Sequence, residues 1–248
     1  MIASIRIDQK TFSVDLSKPL DLSIPLRAGE ENVNAFHLPP IKYEPFKSGN
    51  FIGDVNQGGS CNVFSISINP HGNGTHTETV GHISSEKFPI YKCLNGCFFE
   101  AQLITVMPES EGFDRIIKKG HLENLLKGKC PEALVIRTLP NNDEKLNAHY
   151  SGSNPPYMEE SAAHYLKKIN VKHLLLDLPS IDKEEDSGKL LAHHAFWNYP
   201  ESTRTDCTIS ELIYVPDIIK DGNYLLNLQI ASFDNDASPS KPVLYLIF

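Results

Sequence analysis

The sequence predicts an α/β fold with a strand-rich core and a few flanking helices, and three observations carry that prediction. Short apolar or alternating runs recur along most of the chain, and Pro, Gly, Asn and Asp punctuate them. One amphipathic stretch runs straight into an apolar run, the helix-to-strand connection typical of α/β proteins. With 248 residues and 40% hydrophobic content the chain can bury a sizeable core. One domain, 1–248, is expected, because spots such as NPPY and SPSKP are turn-sized and too short for linkers.

Taken in order, ASIRI and TFSVDL are the first strand candidates, and VFSISI follows with Phe64, Ile66 and Ile68 forming one apolar face. CFFEAQLITVM, ALVIRTL, HLLLDL, SELIYV, YLLNLQI and VLYLIF complete the strand set. GFDRIIKKGHLENLLKG places Ile116, Ile117, Leu122, Leu125 and Leu126 at mixed spacing broken near Gly120, so it holds at most one good helix. In PPYMEESAAHYLKKIN, Pro155 and Pro156 open a helix, Tyr157, Met158, Ala162, Tyr165 and Leu166 form its apolar stripe, and Asn170 is the stop.

Composition excludes several partners. Thirty-one acidic side chains against 23 basic ones give a net charge of −8, which repels phosphate backbones and anionic lipid. No run approaches the roughly 18–20 apolar residues that span a bilayer, and MIASIRIDQK lacks the basic flank and apolar stretch of a leader. The expectation is therefore a cytoplasmic protein with no nucleic-acid or membrane partner. Cys61, Cys93, Cys97, Cys130 and Cys207 are odd in number and irregular in spacing, which argues for free thiols over a disulfide framework.

The chemistry concentrates in PHGNGTHTETVGHI, residues 70–83, with His71, His76, Glu78 and His82. If THTET is extended, His76 and Glu78 share a face about 7 Å apart along the strand, by the ~3.3–3.4 Å rise per residue, and one nitrogen and one carboxylate can converge on a divalent ion. His71 and His82 bracket the couplet, so the stretch is either a metal or proton-transfer site or a histidine-rich polar turn. A Walker loop and a G-x-S-x-G elbow are both absent. A second cluster, 177–197, carries Asp177, Asp182, Asp186, His193 and His194 beside Trp197, and its bland reading is a solvated acidic loop. Glu211, in TISELIYV, is either on an exposed strand face or buried with a charge partner, of which a metal is one. Phe51, Phe64, Phe196, Trp197 and Tyr199 either line an apolar pocket or pack the core.

GTHTETVGH (74–82) resembles the H-x-G-T-H-x-D-x-P-x-H signature of the cyclase-like metal-dependent hydrolases, the family that includes bacterial kynurenine formamidases. DLSIPL (21–26) is similar to its D-[IL]-S segment and DLPSID (177–182) to its D-x-P-S-x-D, in the family's order. The resemblance implies a swivelling β/β/α fold, with a strand-rich barrel-like core flanked by a few helices and assembled as a homodimer or homotetramer. It further implies a Zn²⁺ or Mn²⁺ ion at His76, Glu78, His193 and Glu211, with His71 as the candidate fifth ligand, and His82 as proton shuttle. His194 is the register alternative to His193. Two positions depart from the signature: its first histidine falls on Gly72, one place after His71, and its proline on Val80. Either His71 reaches the metal through a one-residue shift, or the first ligand is missing.

The expected activity is metal-dependent hydrolysis of a C–N amide bond in a small molecule, arylformamidase-like and of the kind used in tryptophan catabolism, with metal-activated water and a histidine shuttle. The alternatives are a non-catalytic ligand-binding member of the fold and a hydrolase using Cys61 or Cys207.

Overall fold

A computed structural model describes residues 1–7 and 10–248. Among the described residues, seven strands close into a barrel: Gly222–Ile230, Phe98–Val106, Ala133–Thr138, His173–Leu176, Thr208–Glu211, His76–Glu78 and Ala237–Leu246, which pairs back onto Gly222–Ile230. The four from Phe98–Val106 to Thr208–Glu211 run parallel, and the other three join antiparallel. Leu20–Asp21 adds to the free edge of the last strand. An N-terminal hairpin, Ile2–Ile7 with Lys10–Asp15, bridges through Val14 to Ile247.

Parity along the strands explains the near-continuous apolar runs. Leu103, Ala133, Val135 and Leu175 fill one core with Leu226 and Leu244. Their alternate neighbours Ile104, Leu134, Ile136, Leu174 and Leu176 pack a second core against three helices, Lys119–Leu126, Glu160–Lys168 and Leu191–Trp197. Parallel strands buried on both faces favour apolar residues at consecutive positions, which is why ALVI (133–136) shows no polar side; Arg137 and Thr138 at the strand's end are buried with hydrogen-bond partners. This confirms the α/β barrel-like fold with few helices.

Local expectations held unevenly. The helix expected from Pro155 begins only at Glu160, because Tyr157–Met158 is a short strand paired in parallel with Ile116 and Ile117. An available strand edge takes that backbone before the helix can. The Phe64–Ser67 run does form a strand, but it pairs with Lys42–Pro45 in an exposed arm, where Tyr43, Phe64 and Ile66 stay open to solvent. Leu191–Trp197 is a helix that the loop reading of 177–197 missed, and it proves decisive for the site.

Candidate metal centre

The site is assembled where the shortest barrel strand meets its neighbours. His76 faces Glu211 across one pairing, and Glu78 lies opposite Ala237 across the other. Thr75 and Thr77 point the opposite way, and the Thr77 hydroxyl lies 2.6 Å from that of Ser210. The period-2 reading of THTET is thus correct: His76 and Glu78 are both fully buried on the helix-facing side. Glu211 is buried as well, against the alternative of an exposed strand face, and Ile181 N–H donates to its Oε1 at 2.9 Å.

His193 enters from the Leu191–Trp197 helix. Asp182 organises that entry: its carboxylate accepts the Ala192 and His193 backbone N–H groups at 2.8 and 3.0 Å and holds His193 Nδ1 at 2.6 Å. Nε2 of His193 is thereby turned to the centre, 3.3 Å from Glu78 Oε1 and 3.9 Å from Glu211 Oε1. His194 points away, its Nδ1 3.0 Å from the Tyr199 carbonyl, so His193 is the histidine of this pair at the site. Asp177 also stays out of it, buried against Lys145 at 2.7 Å and Thr138.

His71 reaches the same centre from the Pro70–Asn73 turn. Its Nδ1 is 3.0 Å from Glu78 Oε2, and its ring packs edge-on to His76. Gly72 has no room for a side chain: an added Cβ would lie 2.5 Å from Leu38 Cδ1 and 2.8 Å from the Ala35 carbonyl oxygen. His82 is the most exposed imidazole of the group, stacked on His71 with centroids 4.4 Å apart and Nδ1 3.7 Å from Glu78 Oε2. Asp236, which the sequence reading did not single out, sits 2.8 Å from His71 Nε2 and 3.8 Å from His82 Nδ1. Nothing around it in FDNDASPS marks it, since it lies far along the chain from the motif it joins.

The donor atoms crowd without bonding to one another. Among the described residues, His76 Nε2, His193 Nε2 and both Glu78 carboxylate oxygens are buried with no hydrogen-bond partner. Leaving one such group unpaired costs about 1–3 kcal/mol, more if charged, so four in one place demand a common partner. Close approaches of 3.0 Å for His71 Nδ1 to Glu78 Oε2, 3.3 Å for His193 Nε2 to Glu78 Oε1 and 3.5 Å for His76 Nε2 to Glu211 Oε2 bring donor atoms of five residues to about the spacing of ligands around one ion. Tetrahedral ligands each about 2.0–2.2 Å from zinc stand roughly 3.3–3.6 Å apart. His, His, His and two carboxylates form a nitrogen and oxygen set suited to Zn²⁺ or Mn²⁺.

Electrostatics agree. Burial opposes charge on His71 and His193, yet the Asp236 and Glu78 carboxylates push the first up to about 10, and Asp182, Glu78 and Glu211 push the second up to about 10. Burial would raise Glu78, but the His82, His193 and His71 imidazoles hold its carboxyl well below the usual range. The pocket therefore favours added positive charge, which a divalent cation supplies with the imidazoles neutral.

A cavity of about 530 Å³ opens onto this group, lined by Phe36, His71, His82, Lys183, Glu184 and Leu190 among others. The aromatics considered from sequence are elsewhere: Phe196 and Trp197 are fully buried in the core, Tyr199 packs against it, and Phe51 and Phe64 belong to the 42–67 arm. A larger hollow of about 660 Å³ under the N-terminal hairpin holds none of the site residues. Burial pushes the Cys207 thiol up to about 12, which removes it as a nucleophile near neutral pH, and Cys61 lies in the arm. No helix among the described residues is long and apolar enough to cross a membrane.

The chain is similar to known proteins over most of its length. The model of the family described as "Putative cyclase" matches residues 14–183. Kynurenine formamidase of Bacillus thuringiensis (strain Al Hakam) is 26% identical over 233 residues, covering 93% of this chain and 96% of that protein. The protein of the same name from Bacillus anthracis is 24% identical over the same shares. Among solved structures, a predicted metal-dependent hydrolase from Bacillus stearothermophilus superposes with TM-score 0.64 at 17% identity, over 92% of this chain and 98% of that one. An isatin hydrolase bound to the product analogue thioisatinate superposes with TM-score 0.66 at 13% identity, over 92% of each chain.

Proposed function

Because the chain belongs to the cyclase family, with the model match covering residues 14–183, we propose that it is a metal-dependent hydrolase of a C–N amide bond in a small molecule. The observation that carries this reading is the set of buried, unpartnered donor atoms on His76, Glu78 and His193, with His71 and Glu211 beside them. These five residues would hold one divalent cation, Zn²⁺ or Mn²⁺. When bound, such a cation would polarise a carbonyl and lower the pKa of a water so that it can lose a proton and act as nucleophile near neutral pH. His82, open to the cavity and beside Glu78, takes the proton of the attacking water and returns it to the departing nitrogen. Asp182 keeps His193 in the orientation that presents Nε2.

The relatives are named kynurenine formamidases, and isatin hydrolases are among the structural neighbours. Carried to this chain, those names support an aryl formamide or cyclic amide as substrate. The cavity of about 530 Å³ is large enough for one aromatic ring with its amide. The exposed apolar face of the arm, Tyr43, Phe64 and Ile66, supports assembly into a homodimer or homotetramer.

The test is elemental analysis of the purified protein together with a panel of aryl formamides, lactams and esters, assayed with added Zn²⁺ or Mn²⁺ and after chelation. Stoichiometric metal and amide turnover that chelation abolishes are expected. Undiminished turnover after the metal is stripped would sink the reading.

A further inference from the structure

One feature of the centre is unusual for its sequence: a histidine displaced by one residue nonetheless delivers a nitrogen to it. We propose that Asp236 is the positioning residue that makes this possible, by fixing the His71 imidazole so that Nδ1 is its metal-binding nitrogen. The inference rests on the metal-centre reading above and deepens it.

The geometry leaves His71 little choice. Gly72 is pressed onto the 35–38 segment, so the motif's usual histidine position can carry no side chain toward the centre. His71 instead projects from the start of the Pro70–Asn73 turn, where Asn69 Oδ1 accepts its backbone N–H at 3.0 Å. From there the ring lies between two carboxylates, with Nε2 2.8 Å from Asp236 Oδ2 and Nδ1 3.0 Å from Glu78 Oε2. A neutral imidazole has a single N–H, and an ionised carboxylate only accepts. The Nε2 contact with Asp236 is a formed hydrogen bond, whereas Glu78 Oε2 has none. Asp236 therefore accepts the hydrogen bond from Nε2–H and keeps the proton on that nitrogen, and the Nδ1 lone pair is left facing Glu78 and His76. A carboxylate behind a ligating histidine fixes its tautomer and raises its basicity, and losing one typically costs 10–100-fold in metal affinity.

Asp236 is itself held for the task. Its carbonyl accepts the Thr79 N–H at 3.0 Å, and the next residue, Ala237, pairs with Glu78. Gly81 permits the approach, since a Cβ there would come within 2.9 Å of Asp236 Cβ. The carboxylate thus reaches the centre from the bend that leads into the last barrel strand, while His71 arrives from before the first motif strand.

A double-mutant cycle on the full-length protein tests this, with Zn²⁺ and Mn²⁺ affinities read by competition with a chromophoric chelator. Asp236→Ala is expected to weaken binding 10–100-fold, and Asp236→Asn, whose amide oxygen can still accept from Nε2, to fall between it and the parent. In a His71→Ala background the Asp236 substitutions are expected to change affinity less than threefold, because Asp236 acts through His71. Equal losses in both backgrounds would overturn the proposal and mark Asp236 as a ligand or a general structural support. Unchanged affinity for Asp236→Ala and Asp236→Asn in a parent that binds metal would overturn it while leaving the metal centre intact. A parent that binds neither ion overturns both. Far-UV circular dichroism accompanies each variant, and if Asp236→Ala does not fold, the Asp236→Asn pair completes the cycle by itself.

Discussion

His82 lines the cavity and is the most exposed imidazole of the group, while His76 and His193 are sealed from solvent. A residue that exchanges a proton with substrate needs that access, and one that only binds an ion does not. His82→Ala is therefore expected to keep stoichiometric metal and lose about 10²–10⁴-fold in turnover, the usual worth of a general acid-base group. Full turnover by the variant would remove His82 from the mechanism. His173 shows the opposite use of burial. It sits at the base of its strand, stacked on Phe99 with Nδ1 2.9 Å from Thr208 Oγ1, and burial, aided by Lys172, pushes it down to about 4. Its unfolded value is about 6.5, so between those two values the unfolded chain binds the extra proton. Stability then falls as pH drops from about 6.5 toward 4. This one group accounts for about 2 kcal/mol lost between pH 7 and 5. Urea unfolding at both pH values should show His173→Gln losing correspondingly less than the parent, and equal losses would refute the assignment.

At the scale of elements, the Pro70–Asn73 turn and the Leu191–Trp197 helix are the two pieces that present histidines to a strand already carrying His76 and Glu78. The turn depends on Gly72. The Ala35 carbonyl accepts no displacement as a flexible side chain would, so Gly72→Ala must shift the turn and carry His71 with it. A loss of about 1–3 kcal/mol is expected from overpacking, together with weaker metal binding. Gly72→His, which restores the family signature in sequence, is expected to behave worse, because the new side chain has no path to the centre. An unfolding midpoint for Gly72→Ala equal to the parent's would contradict this account of the turn. The helix depends on Asp182, which serves as N-terminal acceptor and as the partner of His193 at once.

Over the whole molecule, the donors come from sequence positions 71, 76, 78, 193 and 211, so an ion bound among them ties the first motif strand to a helix and a strand far along the chain. A ligand that binds only the folded state at about 100 times its Kd adds about 2.7 kcal/mol. For a chain of this size that is a Tm rise of roughly 5–10 °C. Calorimetry of the loaded and chelated protein checks it, and an unmoved Tm would show that the ion does not bridge these segments. The same geography explains what could be read in advance. Alternation in THTET already assigns His76 and Glu78 to one face, and apolar runs such as ALVI (133–136) already point to burial on both sides, because a strand's period of two is local. His193 and Glu211 stand out by residue type, but they could be assigned to the centre of His76 only through the family's order of motifs, since neither a seven-residue helix nor a lone glutamate among apolar neighbours says what it faces. Whether His71 survives the slip to Gly72 could not be read at all. The answer depends on the Ala35 carbonyl, Leu38 and Asp236, and only barrel closure brings the last strand beside Glu78. Sequence by itself determined which side chains share a face, through backbone periodicity. Which faces meet, and with which nitrogen turned inward, the tertiary structure decided, because strand register and side-chain packing join residues that have no local relation.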